Sequence, residues 1–146
     1  MLFRSIAGYK ESMRRAKLPC PKELRLSSPS LVKSSLSGLF GSRNRPDALF
    51  TANNASTIWV IEALQELEIE IGEDVALVGF DDVAFFTLIT PPITAVRQPA
   101  AELGSMAARL LLQRINGEFK ASSVRTVLPV TLTIRESCGC KMRDDP

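Results

Sequence analysis

The sequence predicts an α/β fold organised around a parallel β-sheet. Three observations carry this. Ala48-Leu49-Phe50-Thr51-Ala52 is a short, uncharged apolar run of strand length. Val75-Ala76-Leu77-Val78-Gly79-Phe80 is a second one, ended by Asp81-Asp82. Between them Ser56 opens a helical pattern to about Leu67, with Ile58, Ile61, Ala63, Leu64 and Leu67 as its apolar set. Strand, helix and strand within about 33 residues make a βαβ unit, whose strands run parallel with a right-handed crossover. Both strands are expected to be buried on both faces, as in a covered parallel sheet.

The flanking elements follow in order. Residues 4–17 read as a helix, with Ile6, Tyr9 and Met13 spaced for one face and basic charge near its C-terminal end. Leu18-Pro19 stops it, because proline disfavours helix at the residue before it. A short strand is expected around Leu24–Leu26. Residues 30–40 form a second helix carrying Leu31, Leu36, Leu39 and Phe40, with Gly41 as its stop. Asn44-Arg45-Pro46-Asp47 is turn chemistry leading into the first apolar run. Beyond Thr90-Pro91-Pro92 a short strand falls at Ile93–Val96. Pro99 opens a helix to about Ile115, with Leu103, Met106, Ala107, Leu110 and Leu111 on one face. The alternating segment Val127–Ile134 reads as a strand, and its Pro129 places it at an edge or bulge.

Composition narrows the function classes. The 146 residues are 45% apolar and 23% charged, which supports one core and argues against wholesale disorder. No stretch approaches the roughly 18 apolar residues of a membrane span. Residues 1–17 have no signal-peptide core or cleavage site, so a cytoplasmic protein is expected. There is no histidine. That excludes Ser–His–Asp and Cys–His catalysis and histidine-ligated metals. Cys20, Cys138 and Cys140 are too few for a closed thiolate metal site, and their odd number argues against a disulfide framework. Cys138 and Cys140 are expected as reduced thiols in a loose polar tail, and no metal or cofactor is expected. Residues 1–50 carry +7 and residues 51–146 carry −5. The basic residues Lys10, Arg14, Arg15, Lys17, Lys22 and Arg25 spread over a helix and a loop without interleaved aromatics. They read as a solvated face rather than a nucleic-acid site.

Chemistry in an open parallel sheet sits outside the carboxyl ends of its strands. Two polar pairs fall there, Asn53-Asn54 and Asp81-Asp82. If their strands are neighbours, Asn53 and Asp81 face one crevice. A carboxylate that accepts and an amide that both donates and accepts match adjacent hydroxyls on a sugar or polyol. Phosphate fits poorly, because Asp81 repels it and no glycine-rich nest is present. The other reading of both residues is that they cap the segments that follow. Asp81 and Asp82 are not a hydrolytic acid pair, because adjacent residues point apart.

Four strings occur in register: PDALFTAN at 46–53, EDVALVGFDD at 73–82, TPPITAVRQP at 90–99 and LPVTLTIRESCG at 128–139. Together they resemble the effector-binding domain of lactose-repressor (LacI/GalR) family transcriptional regulators. Residues 3–17, with Ala7-Gly8-Tyr9, resemble the preceding helix more loosely. The resemblance implies a type I periplasmic-binding-protein-like effector domain, mainly its C-terminal subdomain, truncated. It divides the chain into an incomplete C-terminal subdomain (1–98), a helix belonging to the other subdomain (99–120), a return strand (121–140) and a tail (141–146). It implies a sugar or nucleobase effector held by Asn53 and Asp81, with Arg4 beside them. The family's arginine stands one position later, where this chain has Ser5. It implies a homodimer with contacts at Phe85, Phe86, Leu88 and Ile89; the alternative for that run is a loop folded over its own core. Trp59 stands where the family favours glycine and is expected to crowd the helix packing or the dimer surface. Operator DNA is contacted through a helix-turn-helix missing from these residues. The strand expected before the Gly8 helix is also missing, and in a 2-1-3-4-5 order it is central. The apolar face of the 99–115 helix is therefore expected to be exposed. The alternative is a fragment of a sugar-binding protein serving an ABC transporter, and a third reading is an independent small α/β enzyme or interaction module.

Overall fold

The computed structural model describes residues 2–19, 23–118 and 125–140; the tail at 141–146 and Cys20 lie outside the described residues. α1 (Leu2–Arg15) ends on Arg14 and Arg15, which suit the negative end of the helix dipole and both pair with Glu11 at 2.8 Å. α2 (Pro29–Phe40) is capped by Ser28, whose hydroxyl oxygen accepts from the Leu31 amide. Proline at its first turn suits a position that has no helical hydrogen bond to lose. β1 (Ala48–Phe50), α3 (Asn54–Glu66) and β2 (Ala76–Phe80) form the βαβ unit. A 3-10 turn at Ala84–Thr87 leads to β3 (Thr94–Arg97). α4 (Ala100–Ile115) and β4 (Thr131–Thr133) follow, and a second 3-10 turn spans Glu136–Cys138.

The sheet order is β1-β2-β3-β4. β1, β2 and β3 are parallel, pairing Leu49 with Leu77 and Gly79 with Ala95. β4 is antiparallel to β3, pairing Val96 with Leu132. β4 lies at an edge, as the proline predicts, but it is only three residues long and Pro129 precedes it. The expected strand at Leu24–Leu26 is irregular instead.

One face of the sheet carries the core. Val32 and Leu36 of α2, Ile61 and Leu64 of α3, Leu77 of β2 and Ala95 of β3 pack there with Phe86 and Ile93. Gly79 lets α3 approach β2: a Cβ on it would stand 3.2 Å from the Phe86 ring and 3.3 Å from Thr57. Trp59 does not crowd this packing; it lies half-buried against the same core. The other face is thinly covered, which corrects the expectation of strands buried on both sides. Ala76, Val78 and Phe80 are only half-buried, and β1 is more exposed still. β1 has one strand neighbour, and its Phe50 is sheltered by stacking on Tyr9 of α1, with ring centroids 5.7 Å apart. No residue of α4 is buried.

The end of the chain is not a loose tail as far as Cys140. Ser137 is fully buried. Its hydroxyl donates to the Leu77 carbonyl at 2.7 Å and accepts from the Thr94 amide at 2.8 Å. A short polar side chain thus satisfies backbone groups of both β2 and β3. No helix among the described residues is long and apolar enough to cross a membrane.

Candidate functional site

Parallel strands deliver their carboxyl ends to one rim. β1 and β2 are parallel, with Phe50 paired to Val78, so Asn53 and Asp81 each follow the carboxyl end of one of two neighbouring strands. Phe80 pairs with Val96, which brings Gln98 to the same rim from β3. Asp81 has a left-handed backbone (φ 70°) that short polar side chains tolerate. Its amide donates to the Val96 carbonyl at 3.0 Å. Its carboxylate Oδ1 accepts a close hydrogen bond from the Gln98 side-chain amide. A carboxylate offers several acceptor positions, so this bond orients Asp81 and leaves acceptors for a ligand.

Asn53 is also the N-cap of α3. The helix begins at Asn54, two residues before the Ser56 expected from the sequence. Asn53 Oδ1 accepts from the Ser56 amide at 2.8 Å. The Asn53 carbonyl oxygen accepts from the Ser56 and Thr57 hydroxyls, both at 2.9 Å. Because Thr57 donates there, Thr51 supplies the proton in the buried 2.7 Å Thr51–Thr57 contact. The cap therefore fastens the end of β1 to the start of α3. The carboxamide NH2 of Asn53 remains a donor at the rim, since the cap uses only its oxygen.

Asp82 has the opposite role to its neighbour. Its side chain is 1% exposed and lies between two guanidinium groups. Arg97 Nε and Nη2 donate to Asp82 Oδ2 at 2.9 and 2.6 Å. Arg135 donates to both carboxylate oxygens, at 2.9 and 3.1 Å. Burial alone raises the Asp82 carboxyl, but Arg135 and Arg97 outweigh it and hold it below the usual carboxylate range. This cluster ties β2, β3 and the segment after β4 together directly behind Asp81. The sequence reading missed it and Gln98. Its only trace in the sequence is a charge within two residues of the end of each of three strands.

The remaining predicted residues are placed unequally. Arg4 falls in the first turn of α1, and its side chain lies outside the described residues. Phe86 is fully buried in the chain's own core and does not belong to a contact surface, which corrects its expected place there. Phe85 stands edge-on to it at 5.0 Å and is partly exposed. Leu88 is 83% exposed, and Ile89 is half-buried against the core. Phe85, Leu88 and Ile89 line an open depression of about 480 Å³ with Ile58, Ile61 and Gln65 of α3.

The model of the periplasmic binding protein-like domain matches residues 4–138. The chain belongs to that family. The ribose operon repressor of Escherichia coli is 33% identical over 113 residues, covering 75% of this chain and 34% of the repressor. The repressor PurR of Vibrio parahaemolyticus is 29% identical over 130 residues, covering 85% of this chain and 38% of the relative. A LacI family transcriptional regulator from Enterococcus faecium, solved with bound ribose, superposes with a TM-score of 0.75 at 27% identity. It covers 90% of this chain and 49% of its own. The fold is thus the α/β fold of LacI-family effector domains, and the chain spans about a third of the length of these curated relatives.

Proposed function

We propose that the rim formed by Asn53, Asp81 and Gln98 is one wall of the small-molecule effector site of a cytoplasmic LacI-family transcriptional regulator. The observation that supports this is the parallel pairing of β1 with β2, whose carboxyl ends lead into Asn53 and Asp81, with the Asp81 carboxylate oriented by Gln98. Both match vicinal hydroxyls, so a sugar is the favoured effector; a nucleobase edge offers comparable donors and acceptors. The site binds rather than catalyses. The second carboxylate at the rim, Asp82, is spent on two arginines and cannot serve as a partner acid.

On this reading α4 belongs to a second subdomain, and effector binding acts by changing how the subdomains sit relative to each other. The strip of exposed Phe85 and Leu88 with half-buried Ile89 is the homodimer contact on the same reading. Operator DNA is the partner of the regulator as a whole and is assigned to no residue here. The repressor names of the relatives favour this over a transporter's sugar-binding protein.

The test is calorimetric titration of the chain with ribose, with a panel of other aldoses and with purine bases. Heat of binding to one of them, abolished by Asp81→Ala, is the expected outcome. Binding unchanged in Asp81→Ala, or no heat with any ligand, removes the effector site from this rim.

A further inference from the structure

The two described cysteines lie away from the rim. We propose that Cys138 and Cys140 form a redox-active dithiol that reacts with disulfides of low-molecular-weight thiols and closes into a disulfide across Gly139. This stands independently of the sensor reading.

The geometry begins with the second 3-10 turn. It is anchored by the buried Ser137 hydroxyl and by the Ser137 amide, which donates to the Pro92 carbonyl at 3.1 Å. Gly139 ends the turn with φ 74° and ψ 4°, and its amide donates to the Glu136 carbonyl at 2.9 Å. That left-handed conformation folds the chain back at the middle residue, as in a helix rather than a strand. It brings the two flanking Cα atoms near each other, and a disulfide needs them roughly 4.4–6.8 Å apart. Both thiols are free, Cys138 half-buried and Cys140 exposed. A residue with a Cβ at 139 would pay for the positive φ, so glycine is what permits the closed turn.

The two thiols also differ in a way that divides the chemistry. Cys138 is half-buried, and its thiol donates to the Arg135 carbonyl oxygen at 3.2 Å. Burial pushes its thiol up, but hydrogen bonds from the Thr94 hydroxyl and the Cys140 thiol outweigh that and hold it below the usual thiol range. Cys140 is exposed and is raised, first by its hydrogen bond to Cys138 and then by the charge there. Of the two thiols, Cys138 is therefore the more readily deprotonated and Cys140 the one that keeps its proton. This is the arrangement of an attacking and a resolving thiol.

The reaction balances with a small-molecule disulfide as oxidant. Cys138 thiolate attacks one sulfur of the disulfide, forming a mixed disulfide and releasing the first thiolate. Cys140 then loses its proton and attacks Cys138 Sγ, displacing the second thiolate. The protein dithiol is oxidised by two electrons, and the small disulfide is reduced to two thiols that take up the two protons.

The probe is oxidised glutathione, applied to the full chain carrying Cys20→Ser so that only this pair reports. Intact mass is expected to fall by one hydrogen molecule, and both thiols are expected to become inert to iodoacetamide until dithiothreitol is added. Adding Cys140→Ser should trap a glutathione adduct on Cys138. The converse variant, Cys138→Ser, should react at least tenfold more slowly. The proposal is overturned if both thiols stay alkylatable, if the intact pair accumulates an unresolved adduct, or if Cys138→Ser reacts as fast as Cys140→Ser. Cys140 is exposed, so the trapping variant retains the fold and decides the matter even if Cys138→Ser does not fold.

Discussion

Asp82 illustrates how one residue can be legible as a polar strand end and illegible as a structural charge. Its two partners are 15 and 53 residues away in sequence, so no local pattern announces the cluster. Removing a buried partner strands the other charge, and Asp82→Ala is expected to cost about 3–5 kcal/mol in chemical denaturation. The pH dependence has a definite sign. A folded carboxyl held below its unfolded value stabilises above the unfolded value of about 3.9, and that contribution is lost as pH falls through the lower folded value. Asp82→Asn is therefore expected to show a shallower loss of melting temperature below about pH 4. An equally steep loss in the variant would show that the ion pairs do not couple to folding. Asn53 calls for a different design, because capping and ligand contact use different atoms. Asn53→Ala should lose about 1 kcal/mol of stability with the cap. Asn53→Ser keeps an oxygen cap and removes the amide donor. It should melt like the parent yet bind effector more weakly; undiminished binding would reduce Asn53 to a cap.

At the scale of elements, the βαβ unit was legible because its strands are uncharged apolar runs separated by a helix-length apolar segment. The boundaries were less so: Asn53 captures the helix start from Ser56 because its side chain reaches the third amide beyond it. Phe86 was misread for a related reason. In a 3-10 turn successive side chains point in divergent directions, so Phe85 faces outward while Phe86 fills the core. α4 is legible as an element, and the exposed apolar face expected of it is observed: Leu103, Leu111, Leu112 and Ile115 are 42–70% exposed. Exposed contiguous apolar surface promotes association. Leu111→Lys with Ile115→Lys is expected to lower concentration-dependent association in sedimentation while leaving the melting temperature within error. A drop of the size seen for core truncations, about 2–5 kcal/mol, would show that α4 is packed in solution.

Taken whole, the molecule is a sheet with one well-covered face and a polar rim at the carboxyl ends of its parallel strands. That Asn53 and Asp81 follow the carboxyl ends of parallel strands was readable, since the βαβ pattern fixes the polarity of both strands. The rim's support was not, since Gln98, Arg97 and Arg135 reach it only after the sheet has formed. The most direct measurement is an amide chemical-shift titration of the chain with the sugar or base that gives heat in calorimetry. Shifts confined to residues 52–54, 80–82 and 97–98, and lost in Asp81→Ala, are expected. Saturable shifts that cluster elsewhere, on the Phe85–Ile89 strip or along α4, would contradict a binding rim at these strand ends.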